Sequence, residues 1–561
     1  MLFTVAMTPS PRIAFVGAGP TAIYTLHTFV KNATVPCAIA LFEEQPVAGQ
    51  GTPYRPGWND PAMLSNIASV EIPPLEETLI GWLKRQTTQR LASLGLESDD
   101  FDDHAFYPRV VLGAFFKDQF EGLVARARRE GHDVRIRTRC RVVDAVQHEH
   151  EVTLRTRSSR GEETTETFDH LVIATGHQWP EDPEARPGYF LSPWPASALA
   201  KIPPCRVGVR GSSLTAIDAV VALATRHGEF VERGSRLEYV AAPSTDALHV
   251  TMMSRKGLLP EADFYHPVPY EPLAHCTPEA IEKLAAGDTQ GLLDRVFELF
   301  KEELTAADPA YAREQSLASL TVETFRDAYF DRRRGVDPFV WAEANLREAE
   351  DDYARRHTVP WRYAILRMHE VIGPIVPYLD DDDFERFTRF FKPVFVDDYA
   401  TVPHESIKRL LALHAAGKLD LLALGERYRI DSHRHEGGAV VHVGGERLHF
   451  PVFIEATGQR PLPATDFPFP SLVTQGIVRE ERSASPDAPG RGIAVDDRFH
   501  PVVDGIAVDE LFCVSLPFLL GRHPFIQGIT SSHEMGTAVG EGLSEAIARR
   551  STRAARSSAA R

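Results

Sequence analysis

The chain is poor in cysteine, in net positive charge and in long apolar runs, and each shortage removes a class of function. Its five cysteines, Cys37, Cys140, Cys205, Cys276 and Cys513, are scattered and odd in number, and no two form a Cys-x-x-Cys pair. That argues against a disulfide framework and against thiol–disulfide exchange, and it points to a reducing cytoplasm. A formal net charge of −17 speaks against a general nucleic-acid binder, although local basic pockets can still hold phosphates. No apolar run is long enough to span a bilayer, and Met1–Met7 lacks the charged start of a signal peptide. The acidic run Asp380–Asp383 reads as a solvated helix start, where acids favour the dipole; a metal site there would need further ligands that the sequence does not place. What remains is ordinary globular composition, 43% hydrophobic and 25% charged, over 561 residues, enough for two to four domains.

Against that background one segment stands out. Residues 13–22 run as an apolar strand into Gly17-x-Gly19-x-x-Ala22, and an amphipathic stretch follows from Ile23 to Val30. A second apolar strand, Ala38 to Phe42, ends on Glu43. This strand–turn–helix–strand–acid order is that of a dinucleotide-binding unit. Gly17 allows the tight turn, Gly19 lets a pyrophosphate approach the backbone with Pro20 and Thr21 opening the helix, and Ala22 lets helix and strand pack closely. Glu43 can accept from ribose hydroxyls. An ordinary tight turn would explain the glycines but not the placement of Glu43.

The pattern recurs. Aligning Thr215-Ala216-Ile217 with Thr21-Ala22-Ile23 puts Gly211 on Gly17 and Ser213 on Gly19, with Ser212 and Leu214 completing the turn. A serine there occupies space near a pyrophosphate, yet its hydroxyl can donate to phosphate. The next strand, Leu248 to Met253, ends on Ser254-Arg255-Lys256-Gly257. Two cations in place of the acid suit the 2′-phosphate of NADP; a solvated basic turn is the plainer alternative. Each half then continues through a strand (Val134–Arg137; Leu419–Leu424) and an alternating β segment. Each closes on an apolar strand ending in Ala-Thr-Gly, at Thr175-Gly176 and at Thr457-Gly458.

The repeat predicts an α/β chain with two nested Rossmann-like dinucleotide-binding domains, one for FAD and one for NADPH, and a helical insertion. The expected boundaries are an FAD-binding first part at 10–200 and an NADPH-binding first part at 201–274. A helical cover over the substrate spans 275–395. The NADPH domain resumes at 396–460 and the FAD domain at 461–548, and an Arg/Ser/Ala-rich tail at 549–561 is expected to be disordered. Helical patterns in the insertion cover Pro278–Ala286, Gly291–Leu304, Trp341–His357 and Trp361–Ile372.

Further segments carry a family resemblance. Gly49-Gln50-Gly51-Thr52-Pro53-Tyr54 follows Glu43 closely, and Met63–Pro74, Thr358–Arg367 and Val396–Pro403 come later. The whole set resembles the FAD/NAD(P)-binding flavoprotein monooxygenases, and within them the flavin-dependent L-aspartate N-monooxygenases that form nitrosuccinate. The resemblance implies that NADPH reduces FAD and that an oxygen atom of O2 passes to a neutral amine of a small amino acid. It implies that Gln50, Gly51, Tyr54 and Asn66 lie at the flavin, with Asn66 also orienting substrate or nicotinamide. It places Gln527, Gly528 and Thr530 where a final helix aims its N-terminus at the flavin pyrimidine; a plain N-cap is the alternative for Thr530–Ser532. No catalytic side chain is required, and none stands out. His177 reads as a satisfied loop histidine, with a position near the flavin as alternative. His177-Gln178-Trp179-Pro180 departs from the Baeyer–Villiger fingerprint.

A substrate with two carboxylates would need cations, and the candidates are Arg522 first, then Arg334 and Arg362. Arg332–Arg334 also reads as a solvated run. No metal, nucleic acid or membrane is expected as a partner, and a homo-oligomer is left open. Rival readings are a flavin reductase without oxygen insertion, an N-monooxygenase for another amine, and a non-catalytic flavin-binding regulator.

Overall fold

The computed structural model describes residues 10–96, 100–180, 182–234, 236–432, 437–481 and 490–559, without the side chains of 551–559. Met1–Met7 lies outside the described residues.

Two parallel sheets carry the repeat. The first places its strands in the order Leu511–Cys513, His170–Ile173, Arg12–Val16, Ala38–Phe42, Asp133–Arg137. The second runs Leu419–Ala423, His249–Ser254, Arg206–Arg210, Val452–Glu455, Tyr189–Phe190, with a short antiparallel edge at Glu184–Arg186. Counted from each glycine-bearing strand, both sheets have the order third, second, first, fourth. The central strands are buried on both faces, Ile13 to Phe15 fully so, which is why they read as unbroken apolar runs rather than as alternation. In each half a three-stranded antiparallel ribbon joins the third strand to the fourth. It spans Cys140 to Phe168 in one half and Tyr428 to Phe450 in the other. Among the described residues no helix is long and apolar enough to cross a membrane.

The glycine of each turn is demanded by the partner strand. Gly17 has φ +97°, and a Cβ on it would stand 2.2 Å from the Ala174 carbonyl oxygen. Gly211 has φ +137°, and its Cβ would stand 2.3 Å from the Ala456 carbonyl oxygen. Ala174 and Ala456 are the alanines of the two Ala-Thr-Gly turns. The repeated sequence signal is therefore one packing contact made twice.

Helices fill the insertion over Pro278–Ala285, Leu292–Ala307, Val322–Asp331, Pro338–Arg355, Pro360–Ile372 and Lys392–Tyr399. Much of this segment shares a core of its own, with Phe297 and Phe300 stacked and Phe325, Phe391 and Phe395 packed on them and on one another edge to face or tilted. Two expectations are corrected. Asp380 does cap a helix start by accepting from the Asp383 N–H at 2.8 Å, but Asp383 is buried and accepts from the Leu293 N–H at 3.0 Å. The run is thus partly a tertiary anchor rather than wholly solvated. The tail expected to be disordered from Arg549 continues the final helix, Ile529–Ala559; residues 560–561 lie outside the described residues.

That final helix lies along Pro20–Asn32, and glycines set the distance. A Cβ on Gly540 would meet the Thr28 Cβ at 2.6 Å and the Thr25 carbonyl at 2.8 Å. Helix propensity alone would make Gly540→Ala stabilising by about 1 kcal/mol. Overpacking of about 1–3 kcal/mol or more opposes it. We expect Gly540→Ala to lower the free energy of unfolding in a denaturant titration; a gain in stability would refute the close packing.

Candidate active site: a cavity shared by two nucleotide turns

A cavity of about 1130 Å³ opens between the two sheets and the insertion. Its wall includes Gly17, Gly19, Pro20, Thr21, Glu43, Gln50, Gly51, Tyr54, Asn66, Thr175 and Gly176 from the first half. From the second half it includes Gly211, Ser212, Ser213, Leu214, Thr215, Thr457 and Gly458, and from the chain end Gln527, Gly528 and Thr530. Sequence reasoning thus placed most of its cofactor residues around one space.

The first turn fits a bound pyrophosphate. A Cβ on Gly19 would already lie 3.3 Å from the Gly51 Cα, so the helix start and the Gly51 loop close on one another with little room for a side chain. Glu43 is fixed by the Ala18 and Gln45 N–H groups, which donate to its two oxygens at 3.2 and 2.9 Å. Burial raises its pKa, and these two bonds oppose the rise. A carboxylate offers about four acceptor positions, so capacity for ribose hydroxyls remains. In the second turn Ser213 is the N-cap of Leu214–His227 but its side chain caps nothing, which leaves its hydroxyl free for a phosphate. The first turn of Ile529–Ala559 reaches the wall through Ile529, Thr530, Ser531 and Ser532; the Ser532 N–H donates to the Gly528 carbonyl at 3.1 Å, and the N–H groups before it have no partner within the helix.

The halves are tied where the strands end. The Gln178 N–H, just past the first Thr-Gly turn, donates to Gln459 Oε1, just past the second, at 3.0 Å. Arg109, at the start of helix Arg109–Arg129, stands 3.1 Å from Asp218 on Leu214–His227. Both side chains are nearly buried, at 11% and 8% exposure. Burial lifts Asp218 to about 6 and Arg109 opposes this, so the Asp218 carboxylate is ionised at neutral pH. His177 lies on the wall beside them. Burial, then Arg109, lowers it to about 4, while Gln459 opposes the fall, so its ring is neutral.

Toward the insertion the wall carries Glu71, Asp263, His266, Tyr270, His369, Glu370, Lys392 and Tyr399. Burial, then Asp263, raises Glu71 to about 7, against a bond from the Ala68 N–H at 3.1 Å. Glu370 on the same wall is also raised to about 7, by the protein packed around it and then by Glu534. Burial lowers Lys392.

Several expected residues are elsewhere. Arg522 pairs with Glu481 at 2.6 Å and is off the wall. Arg362 is buried against Glu261 at 3.0 Å, beside a separate space of about 30 Å³. Arg334 is solvent-exposed and pairs with Asp331 at 2.9 Å. Each is already neutralised by a carboxylate, so none reaches the cavity as a free cation. Ala22 is buried and packs rather than lines. Ser254, Arg255 and Lys256 end the strand beside Arg206–Arg210 but do not line the cavity. Arg255 is exposed, Ser254 accepts from the Gly257 N–H at 3.2 Å, and the Lys256 ammonium lies 2.9 Å from the centre of the Phe330 ring. Arg109, Asp218, Lys392 and the acids of the wall were missed. Asp218 left one trace, a lone acid inside the apolar run Leu214–Leu223.

These features define a flavoprotein of the two-dinucleotide class, and the comparisons agree. Residues 14–178 match a family described as FAD-NAD(P)-binding, and residues 277–399 match one described as the YdhS-like middle domain. Over 546 residues the chain is 41% identical to the Escherichia coli (strain K12) protein YdhS, itself described as uncharacterized, covering 97% of this chain and 99% of that one. The chain belongs to the YdhS family. Two solved structures share its fold. Ornithine hydroxylase (PvdA) from Pseudomonas aeruginosa gives a TM-score of 0.51 at 11% identity, over 96% of this chain and 100% of that one. Ornithine N-hydroxylase (KtzI) from Kutzneria sp. 744, with reduced FAD, NADP+ and L-ornithine, gives 0.50 at 16%, over 97% and 100%.

We expect Gly19→Leu to yield folded protein without flavin, because the added side chain fills the space between the helix start and Gly51. Full flavin occupancy, measured by absorbance of purified protein, would overturn the assignment of this turn.

Proposed function

We propose that this protein is an FAD- and NADPH-dependent monooxygenase that adds oxygen to the nitrogen of a small amine. One observation carries the reading: a single cavity joins both nucleotide turns and ends against the insertion in a wall of titratable groups. In this reading Gly17 to Thr21, Glu43, Gln50, Gly51, Tyr54, Asn66, Thr175, Gly176 and the start of the final helix hold FAD. Gly211 to Thr215, Thr457 and Gly458 hold NADPH, with Arg255 at its 2′-phosphate. Lys256, turned onto Phe330, is not needed there. Bound in these places the cofactors supply hydride and activate O2. The chain orients the substrate, excludes water and removes a proton. An amine arrives as an ammonium ion and must be neutral to accept oxygen, and Glu71 is positioned on the wall to take that proton.

The domain boundaries expected from the sequence belong to the same proposal, as does a reducing cytoplasm. L-Aspartate, giving nitrosuccinate, is the substrate that the family resemblance implies. Lys392 is a wall cation available to its carboxylates, whereas Arg109 on the same wall is already held by Asp218 at 3.1 Å. Glu71, Asp263 and Glu370 would repel them, which favours an amine with fewer carboxylates.

Aerobic incubation with NADPH and a panel of amines, L-aspartate included, tests the reading by mass spectrometry. The expected product carries one more oxygen on nitrogen. Because Glu71 is raised to about 7, it is protonated below that pH and cannot accept a proton. The yield of product per NADPH should therefore rise as pH rises through about 7, and Glu71→Gln should remove the rise. NADPH oxidation that yields hydrogen peroxide alone with every amine would contradict the proposal.

A further inference from the structure

Among the described residues, four buried polar atoms of cavity-wall residues lack partners, Asn59 Oδ1, Arg109 Nε, His177 Nδ1 and Trp194 Nε1, and the first and last of them together describe a ligand edge. Asn59 is 3% exposed and Trp194 is 8% exposed. The Asn59 amide nitrogen faces the carbonyls of Thr52 and Arg55 at 3.4 and 3.3 Å, which fixes the orientation of the amide and leaves Oδ1 as the free acceptor. Trp194 Nε1 is a donor with no acceptor. The two lie on adjoining segments, because the Ala196 N–H donates to the Trp58 carbonyl at 2.9 Å. Buried polar groups are almost always satisfied, so a neighbouring donor and acceptor both left open on a cavity wall point to a ligand that supplies one of each. The flanking surfaces are flat rings. Trp179 lies 4.9 Å from Trp194, and its other neighbour is His177 at 6.1 Å.

We propose that Asn59 and Trp194 bind the carboxamide of the nicotinamide ring, Trp194 donating to its oxygen and Asn59 accepting from its amide N–H. The inference rests on the two-nucleotide reading above. Adenine and the flavin pyrimidine offer the same one-donor, one-acceptor edge. In that reading, however, FAD has Glu43 at its adenosine end and the start of the final helix at its pyrimidine. The niche is built where the halves meet: Met63 of the same loop packs into the core of the second sheet, and Arg409 donates to the Ala62 carbonyl at 2.7 Å. The aromatic walls suit a planar ring.

Calorimetry on the FAD-loaded protein, with no turnover, tests this with NADP+, its 3-acetylpyridine analogue and 2′,5′-ADP. The analogue keeps the carbonyl and loses the N–H, so it should bind about tenfold more weakly than NADP+. Asn59→Leu should erase that difference. Trp194→Phe, which keeps the shape of the niche, should weaken NADP+ and the analogue by about tenfold each and leave 2′,5′-ADP unchanged. Should Asn59→Leu disturb its loop and fail to fold, Trp194→Phe decides alone. Unchanged NADP+ affinity in Trp194→Phe overturns the proposal. An equal loss for 2′,5′-ADP overturns it in favour of adenine, and loss of FAD overturns it in favour of the flavin edge. Failure to oxygenate any amine would count against the proposed function and leave these binding results standing.

Discussion

The approach of one carbonyl to one glycine, made twice, is the constraint on which the molecule depends. The Ala174 carbonyl sits where a Cβ of Gly17 would be, and the Ala456 carbonyl does the same at Gly211. The first strand of each half is thereby pressed against its fourth. The ladders run from Val16 to Ala174 and from Arg210 to Ala456, with N–H to carbonyl distances of 2.9 and 2.8 Å. With no side chain between them, the strand ends and the helix start converge. Each half then presents backbone to a ligand at the carboxyl ends of its strands, where open parallel sheets bind nucleotides. Everything further out is built on that placement: the Gly51 loop over the first turn, Ser213 over the second, and the final helix laid on Pro20–Asn32.

Two sites facing one cavity are useful only if the halves hold a fixed relation. Gln178 and Gln459 belong to equivalent segments of the repeat, each just past its Thr-Gly turn, and they bond to each other. Arg109 and Asp218 add a nearly buried ion pair between the helices of different halves. Such a pair contributes little net stability, because desolvation offsets the attraction, but losing either partner strands a buried charge. That asymmetry makes it a device for geometry. In the proposed reaction the distance between the two cofactors decides whether hydride passes, and these contacts are what the chain offers to set it.

The backbone of this arrangement was legible because it is made of local patterns. Gly17, Gly19 and Glu43 lie within one βαβ unit, and Ala38 to Phe42 occupies the strand limits that its apolar run suggested. The side chains of the substrate end were not legible, for a physical reason. Whether an arginine is free depends on where its carboxylate is, and Glu481 and Glu261 approach Arg522 and Arg362 from 41 and 101 residues away in the chain. Lys256 is turned aside by Phe330 of the insertion, which the run Ser254–Gly257 could not reveal. Glu71 reads as one acid among many until folding sets Asp263 and His266 beside it. The helical tail past Arg549 was hidden by its composition.

The central claim is that one cavity brings a reduced nicotinamide nucleotide to a flavin. It is tested most directly by mixing the FAD-loaded protein with NADPH in the absence of oxygen and following flavin absorbance. The account predicts that the yellow colour bleaches on mixing and returns when air is admitted. Yellow protein that binds NADPH and keeps its colour would contradict it, leaving a two-nucleotide fold that transfers no hydride.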